Sequence, residues 1–568
     1  MPARALRAAT ALTVLIAGLV APGVSVADDA RSGTDAEPGS TRAACDELGG
    51  PAPPVASLAL VERLEWCSPP PRSPAISPLS ETSPSDATAP AARAPEDCTI
   101  PTVDDRCELW TSRFDHPDRG NYGADQVTDV VSAEGAVYVV GGTWVGATGG
   151  FDVMVHRLDD DGELIWSRIV DLGGFIDGAH EAAVTVDGSR LYLTGETRST
   201  MDDPADLFVM AIETAGGEPL WHVVLDREKG DDYGTWIGIG PEDETVYAVA
   251  SSTGSTGVDV WTVALDAESG AIAWTERFDG PESGNDHPAG VALSSDGGRL
   301  HVAGAAYGAM GADLFAVSYE LGPTRREGPS WVTVQDLTGI GGADQATTLS
   351  VAPDGGLVAA GYVQAGPPDP VGGRTIDMVA VGLDPATGSL RWRTDIAAPP
   401  AAGHRLAVAT ASRVSPDGGT VVLAGGSALG SALTDFGMHA AALDTEDGTL
   451  RWSVHHQPPG SQYGYASDVD FSEDGSQAYV VGNSWFGVFA SKGDLTSLAL
   501  ETEDGDQLWV ARLLYRDGDP RDFFPYPAYA AVIPGSGRVV AATTYVGNVF
   551  SEDEDNYADV LAAAYDGS

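Results

Sequence analysis

Apolar residues recur along the chain in short runs broken by Gly- and Asp-rich turns, and one arrangement of run and turn returns many times. Its clearest form is VALDAESGAIAW (263–274). Close copies are MAIETAGGEPLW (210–221), VGLDPATGSLRW (381–392), AALDTEDGTLRW (441–452) and LALETEDGDQLW (498–509); HRLDDDGELIW (156–166) is one residue shorter. Each reads as an apolar strand, an acidic residue, a turn with Gly four positions before a Trp, and a second strand. The acid is suited to accept a backbone hydrogen bond, and Gly supplies positive φ without steric cost. ELGPTRREGPSW (320–331) departs from the pattern with a longer, basic turn.

Tryptophans at 110, 166, 221, 274, 331, 392, 452 and 509 set a period of 53 to 61 residues. One interval shows its content: EAAVTVD (181–187), RLYLTGE (190–196), LFVMAIE (207–213) and PLWHVVLD (219–226) are four strands in turn. Four antiparallel strands in a repeat of this length predict a propeller blade. Neighbouring blades bury both faces of each sheet, so the strands read as apolar runs rather than as clean alternation. The Trp opens the outermost strand, and its indole is expected in the wedge between blades. The repeats begin with an outer strand, CELWTSRFD (107–115), that lacks inner partners, and end with three strands around 525–533, 537–544 and 558–566 that lack an outer one. These fragments complete each other. The prediction is an all-β, eight-bladed β-propeller of four-stranded antiparallel blades over 106–568, closed by the N-terminal outer strand on the C-terminal blade, which removes the open sheet edges.

An Asp stands just before the third strand of every repeat: Asp152, Asp206, Asp259, Asp313, Asp377, Asp435, Asp494 and Asp559. One reading is a ring of carboxylates for cations. The other is a side chain that closes its loop onto backbone N–H groups. The second is preferred, because a residue present in every blade serves what all blades share.

The N-terminal part changes character. Residues 1–27 read as a secretory signal, with Arg4 and Arg7, an apolar stretch from Ala8 to Val20, and Ser25-Val26-Ala27 as cleavage site. Residues 28–105 form a Pro/Ala/Ser-rich linker with a short helix suggested at 58–66. All four cysteines precede the repeats. In an exported chain they imply two disulfides; three pairings are open, and proximity favours Cys45–Cys67 and Cys98–Cys107. No later stretch is long and apolar enough to span a bilayer. The net charge of −52 falls mostly in the repeats and repels nucleic acid and anionic lipid. Solubility, or adaptation to salt, accounts for it. The expectation is a secreted monomer.

The x-L-D-x-x-x-G-x-x-x-W unit resembles the repeat of the pyrroloquinoline-quinone-type (PQQ-like) propellers. The G-x-D-x-F-x-V element, as in ADLFVMAIE (205–213) and ADLFAVSYE (312–320), is similar to secreted bacterial SBBP-type propeller repeats. The resemblance implies the propeller fold and, for some members, a quinoprotein dehydrogenase with adjacent cysteines beside the cofactor and a Glu/Asn/Asp set on calcium. No Cys follows Cys107, so no cofactor residue carries over, and no cofactor is expected. A channel hydrolase or lyase is the other enzymatic option. Its acid–base candidates, Asp125, His180, Asp232, His287, Asp344 and His404, do not align with one another across repeats, and G-x-S-x-G is absent. The acidic SEDEDNYAD (551–559) lacks the spacing of a known calcium loop and reads as a solvated loop. The favoured function is a non-catalytic scaffold for a protein or glycan. Aromatic residues of the loops, Trp144, Trp485, Phe486, Phe489, Phe523, Phe524, Tyr526 and Phe550, mark the candidate binding face across the terminal seam. The alternative is that they brace the seam by packing on one another.

Overall fold

The computed structural model describes residues 105–567 apart from 115–124, 146–149, 365–375, 398–405, 429–435, 487–491, 514–523, 547–557 and gaps of one or two residues. The leader, the helix suggested at 58–66 and the proposed disulfides lie outside the described residues.

Strand follows strand. In the second unit Ile176–Val184, Arg190–Arg198, Asp206–Glu213 and Pro219–Leu225 pair antiparallel in chain order. The same four-stranded sheet recurs along the chain. Tyr529–Ile533, Arg538–Val546 and Ala558–Asp566 take Trp110–Phe114 as their fourth strand, with Trp110 opposite Ala564 and Phe114 opposite Val560. Asp105–Arg106, at the predicted end of the linker, runs parallel to Gln507–Leu513 instead of ending free. First strands pack side by side from unit to unit, and Tyr529–Ile533 packs against Asp125–Ala133. One apolar cluster accordingly joins Val127, Val130 and Val139 to Tyr529, Ile533 and Val540.

The first strand of the second unit begins at Ile176, five residues before its apolar run at 181. A bulge explains the difference. The register shifts between Ala179 and Glu181, Gly234 and Trp236, Ala346 and Thr348, Ala409 and Ala411, and Ala466 and Asp468. A bulged residue leaves the ladder, which frees its side chain for other partners. Thr347 Oγ1 donates to Ala409 O (2.7 Å), Thr410 Oγ1 to Ala466 O (2.7 Å) and Ser467 Oγ to Ala528 O (2.6 Å). Each bond ties one unit to the next at the first strands. Polar residues here are structural, and they break the apolar pattern.

The outer strands are tied by tryptophan. Nε1 donates to a carbonyl in the next turn along: Trp166 to Thr214 (2.8 Å), Trp221 to Ala267 (3.1 Å), Trp331 to Pro385 (2.9 Å), Trp392 to Thr445 (3.2 Å) and Trp452 to Thr502 (2.9 Å). Trp110, on the last sheet, does the same to Asp160 in the first unit (3.0 Å). The turn glycine lies on the indole. A Cβ at Gly388 or Gly448, both with positive φ, would come within 2.4 Å and 2.3 Å of the rings of Trp331 and Trp392. The turn acid acts as expected, since Asp266 Oδ1 accepts the Ser269 N–H at 2.8 Å. In the departing turn Arg325 takes over the glycine's place. Its guanidinium lies 3.9 Å from the Trp274 ring centroid and pairs with Glu276. Trp110, Trp331, Trp452 and Trp509 are buried, whereas Trp166, Trp221, Trp274 and Trp392 are half-buried at the solvent-facing rim.

Candidate functional site on the loop face

Antiparallel pairing places the start of the first strand, the end of the second, the start of the third and the end of the fourth at one end of each sheet. Carboxylates collect there. Contrary to the sequence reading, Asp125, Asp232 and Asp344 share one position, the start of the first strand, and Asp177 and Asp286 occupy it in the other units. His180 and His287 do not share it, and His404 lies outside the described residues. Loop closing onto backbone N–H groups is done at this position. Asp177 accepts the Leu172 N–H (2.7 Å), Asp232 that of Arg227 (2.7 Å), Asp286 that of Gly280 (2.5 Å) and Asp344 those of Leu337 (2.6 Å) and Thr338 (3.0 Å). The spacing that reveals it, 52 to 58 residues, is that of the tryptophans.

A third Asp follows the fourth strand, and among the described residues three junctions between units bring the three carboxylates together. Asp152, Asp171 and Asp177 offer oxygens within 4.8 Å of one another, as do Asp259, Asp279 and Asp286, and Asp313, Asp336 and Asp344. Burial pushes the Asp152 carboxyl up to about 7, and the charges of Asp171 and Asp177 add to the rise. Burial also raises Asp177, Asp286 and Asp344 to about 6, with hydrogen bonds from loop N–H groups pulling them back. Asp435 lies outside the described residues, as does the side chain of Asp559.

His180 is the bulged residue of the second unit. Its Nδ1 lies 2.9 Å from Gly234 O, the same link to the next unit that Thr347, Thr410 and Ser467 make. Its Nε2 is 3.7 Å from Glu196, which pairs with Arg198 at 2.9 Å, and Arg198 donates to Tyr233 Oη at 2.5 Å. Burial alone would raise the Glu196 carboxyl, but His180 and Arg198 hold it below its ordinary range. His287 packs edge-on against Tyr307, with ring centroids 5.7 Å apart. Asp125 accepts a bond from Thr143.

The aromatic candidates divide. Trp144 packs on Phe151 and Phe175, toward the second unit. Trp485 stacks on Tyr465 at 5.3 Å and borders a cluster holding Tyr362, Leu406 and Phe436. Both are half-buried. Phe486 and Phe524 lie in strands, opposite Ser461 and Val546, with side chains outside the described set. Phe489, Phe523, Tyr526 and Phe550 lie outside the described residues.

A family profile described as "Outer membrane protein assembly factor BamB", of PQQ-like repeats, matches residues 151–556. The chain belongs to this family. No curated protein matches it in sequence. Solved structures similar to it include Sqt1 of Chaetomium thermophilum bound to the N-terminus of ribosomal protein L10 (14% identity, 78% of this chain, 98% of that one, TM-score 0.47). A quinohemoprotein alcohol dehydrogenase of Pseudomonas putida HK5 is 14% identical over 79% of this chain and 76% of its own, with a TM-score of 0.43. A europium-containing methanol dehydrogenase is 11% identical over 78% of this chain and 92% of its own, with a TM-score of 0.42. The adjacent cysteines that the quinoprotein resemblance implies are missing from this BamB-type chain. No cysteine pair is available beyond Cys107, and His180, Thr347, Thr410 and Ser467 on the first strands are spent on backbone carbonyls.

Proposed function

We propose that the chain is an exported, non-catalytic scaffold: a closed ring of eight four-stranded blades whose loop face binds a protein or glycan partner. The observation that carries this reading is the use made of polar groups at the strand entrances. Of the candidate acids and bases of a channel enzyme, His180, Asp232 and Asp344 hold backbone instead. His180 fills the bulge position that Thr347, Thr410 and Ser467 fill elsewhere, and Asp177, Asp232 and Asp344 hold loop N–H groups. The family description, an assembly factor, supports a scaffold over an enzyme. Ring closure is supported by Trp110–Phe114 on Ala558–Asp566 and by Asp125–Ala133 beside Tyr529–Ile533. Export rests on the leader at 1–27. On the loop face, Trp144 and Trp485 offer half-buried rings to a partner.

The test has two arms. Added pyrroloquinoline quinone and calcium should give no dye-linked oxidation of alcohols or sugars, and no retained quinone. One equivalent of tightly held quinone restores the dehydrogenase reading. In the second arm the immobilised chain is presented with cell-surface glycans and proteins. Trp485→Ala and Phe524→Ala should weaken retention at least tenfold while the strand content seen by circular dichroism is kept; equal retention removes this face from the proposal.

A further inference from the structure

The three carboxylate triads are not equivalent in charge. Three carboxylates within 4.8 Å repel one another unless a cation sits among them. In the third junction the protein supplies that cation. Arg277 Nε lies 2.6 Å from Asp259 and its Nη2 lies 2.9 Å from Asp279. Arg277 stands opposite Trp261, two residues after Asp259. The register-equivalent residues are Ile169, opposite Met154, in the first junction and Val334, opposite Phe315, in the fourth. The same triad is kept there while the guanidinium is replaced by an apolar side chain.

A second observation points to a ligand. Asp152 is 6% exposed, and its Oδ1 is buried with no hydrogen-bond partner. In the fourth junction Asp344 is 0% exposed, and its Oδ1 is likewise buried without a partner. A buried carboxylate oxygen with no donor, in a residue grouped with two further carboxylates, lacks the compensation that burial demands.

We propose that the first junction binds a calcium ion through Asp152, Asp171 and Asp177, and that the fourth binds a second through Asp313, Asp336 and Asp344. The donors are all hard oxygens, which select Ca²⁺ or Mg²⁺ over softer metals. Calcium takes oxygens at about 2.3–2.6 Å, so ligands on opposite sides of it stand up to about 5 Å apart; magnesium, at about 2.0–2.1 Å, demands a tighter octahedron. Carboxylates carried on two strand ends and on the connection between units suit the larger, more tolerant ion. The ion bridges the third strand of one unit to the first strand of the next and does at two junctions what Arg277 does at a third.

The test is calorimetric titration of the EDTA-stripped full chain with CaCl₂. Two equivalents are expected. Asp171→Asn, at an exposed position, should remove one of them. Ile169→Arg should also remove one, since it supplies the guanidinium and deletes no carboxylate. Adding Asp336→Asn to Asp171→Asn should abolish binding. Terbium luminescence sensitised by Trp144, which packs on Phe151 beside Asp152, should fall in Asp171→Asn and persist in Asp336→Asn. No binding by the wild-type chain at about 1 mM Ca²⁺, or full stoichiometry in a folded Asp171→Asn or Ile169→Arg variant, overturns the proposal.

Discussion

At the scale of single residues, the second strand of several units sets an aromatic beside the repeated tryptophan. Tyr192 lies 6.0 Å from Trp221, Tyr247 6.0 Å from Trp274 and Tyr479 6.0 Å from Trp509, measured between ring centroids. The fourth unit places His301 there, stacked 5.8 Å from Trp331. Both His301 ring nitrogens are buried without hydrogen-bond partners, and burial, helped by Arg299, lowers its pKa to about 4. The unfolded chain titrates this imidazole near its ordinary value, so between the two values the unfolded state holds more protons. Its stabilising contribution is therefore complete above pH ~6.5 and is lost as pH falls toward 4. At pH 5 the loss should reach about 2 kcal/mol. His301→Tyr, which installs the residue found at Tyr138, Tyr192, Tyr247 and Tyr479, should flatten the fall in melting temperature between pH 7 and pH 5. An unchanged pH slope in that variant would count against the argument.

At the scale of elements, the strand–turn–strand unit was readable because two side chains with strong local requirements mark it. Gly448 adopts positive φ and lies on the Trp392 ring, so neither residue has freedom to drift. The first strand was harder to read. In most units its bulge carries Thr, Ser or His where an apolar run would announce a strand, so the strand was read only from residue 181, past Asp177 and His180. The carboxylate triads were half legible. Asp152 and its counterparts stood out by position, but Asp171 and Asp177 become neighbours only when the outer strand of one unit meets the inner strand of the next. The substitution of Arg277 by Ile169 or Val334 needs the register to be seen at all. It leads to a prediction at this scale. Arg277→Gln leaves Asp259, 0% exposed, without its closest cation. The variant should melt lower than wild type in EDTA and recover with added CaCl₂, because it becomes a junction of the metal-dependent kind. A deficit that calcium leaves untouched would mean that the triads differ by more than this one side chain.

At the scale of the molecule, the matter is what holds the first and last sheets together. Trp110–Phe114 is far in sequence from Ala558–Asp566, yet it completes that sheet. Its tryptophan docks onwards to the first unit, with Nε1 on Asp160 O and its ring face against Gly162. Arg538 of the last sheet reaches Asp161 of the first at 3.0 Å, and the Val127 N–H donates to Thr544 Oγ1 at 2.8 Å. A linear array would leave two strand edges and two apolar faces in water. In the closed ring proposed above, this strand removes them. Deleting residues 105–115 exposes the edge of Ala558–Asp566 and empties the site of Trp110, which is 4% exposed. The Trp110 cavity alone should cost about 3–5 kcal/mol, and the truncated chain should aggregate through the open edge. A synthetic peptide spanning residues 105–116 should bind the truncated protein as an added strand and raise its melting temperature, since the backbone ladder and the indole site both await it. A truncated chain that melts like the intact one, or that ignores the peptide, would show that the terminal strand is an attachment to the ring and not its closure.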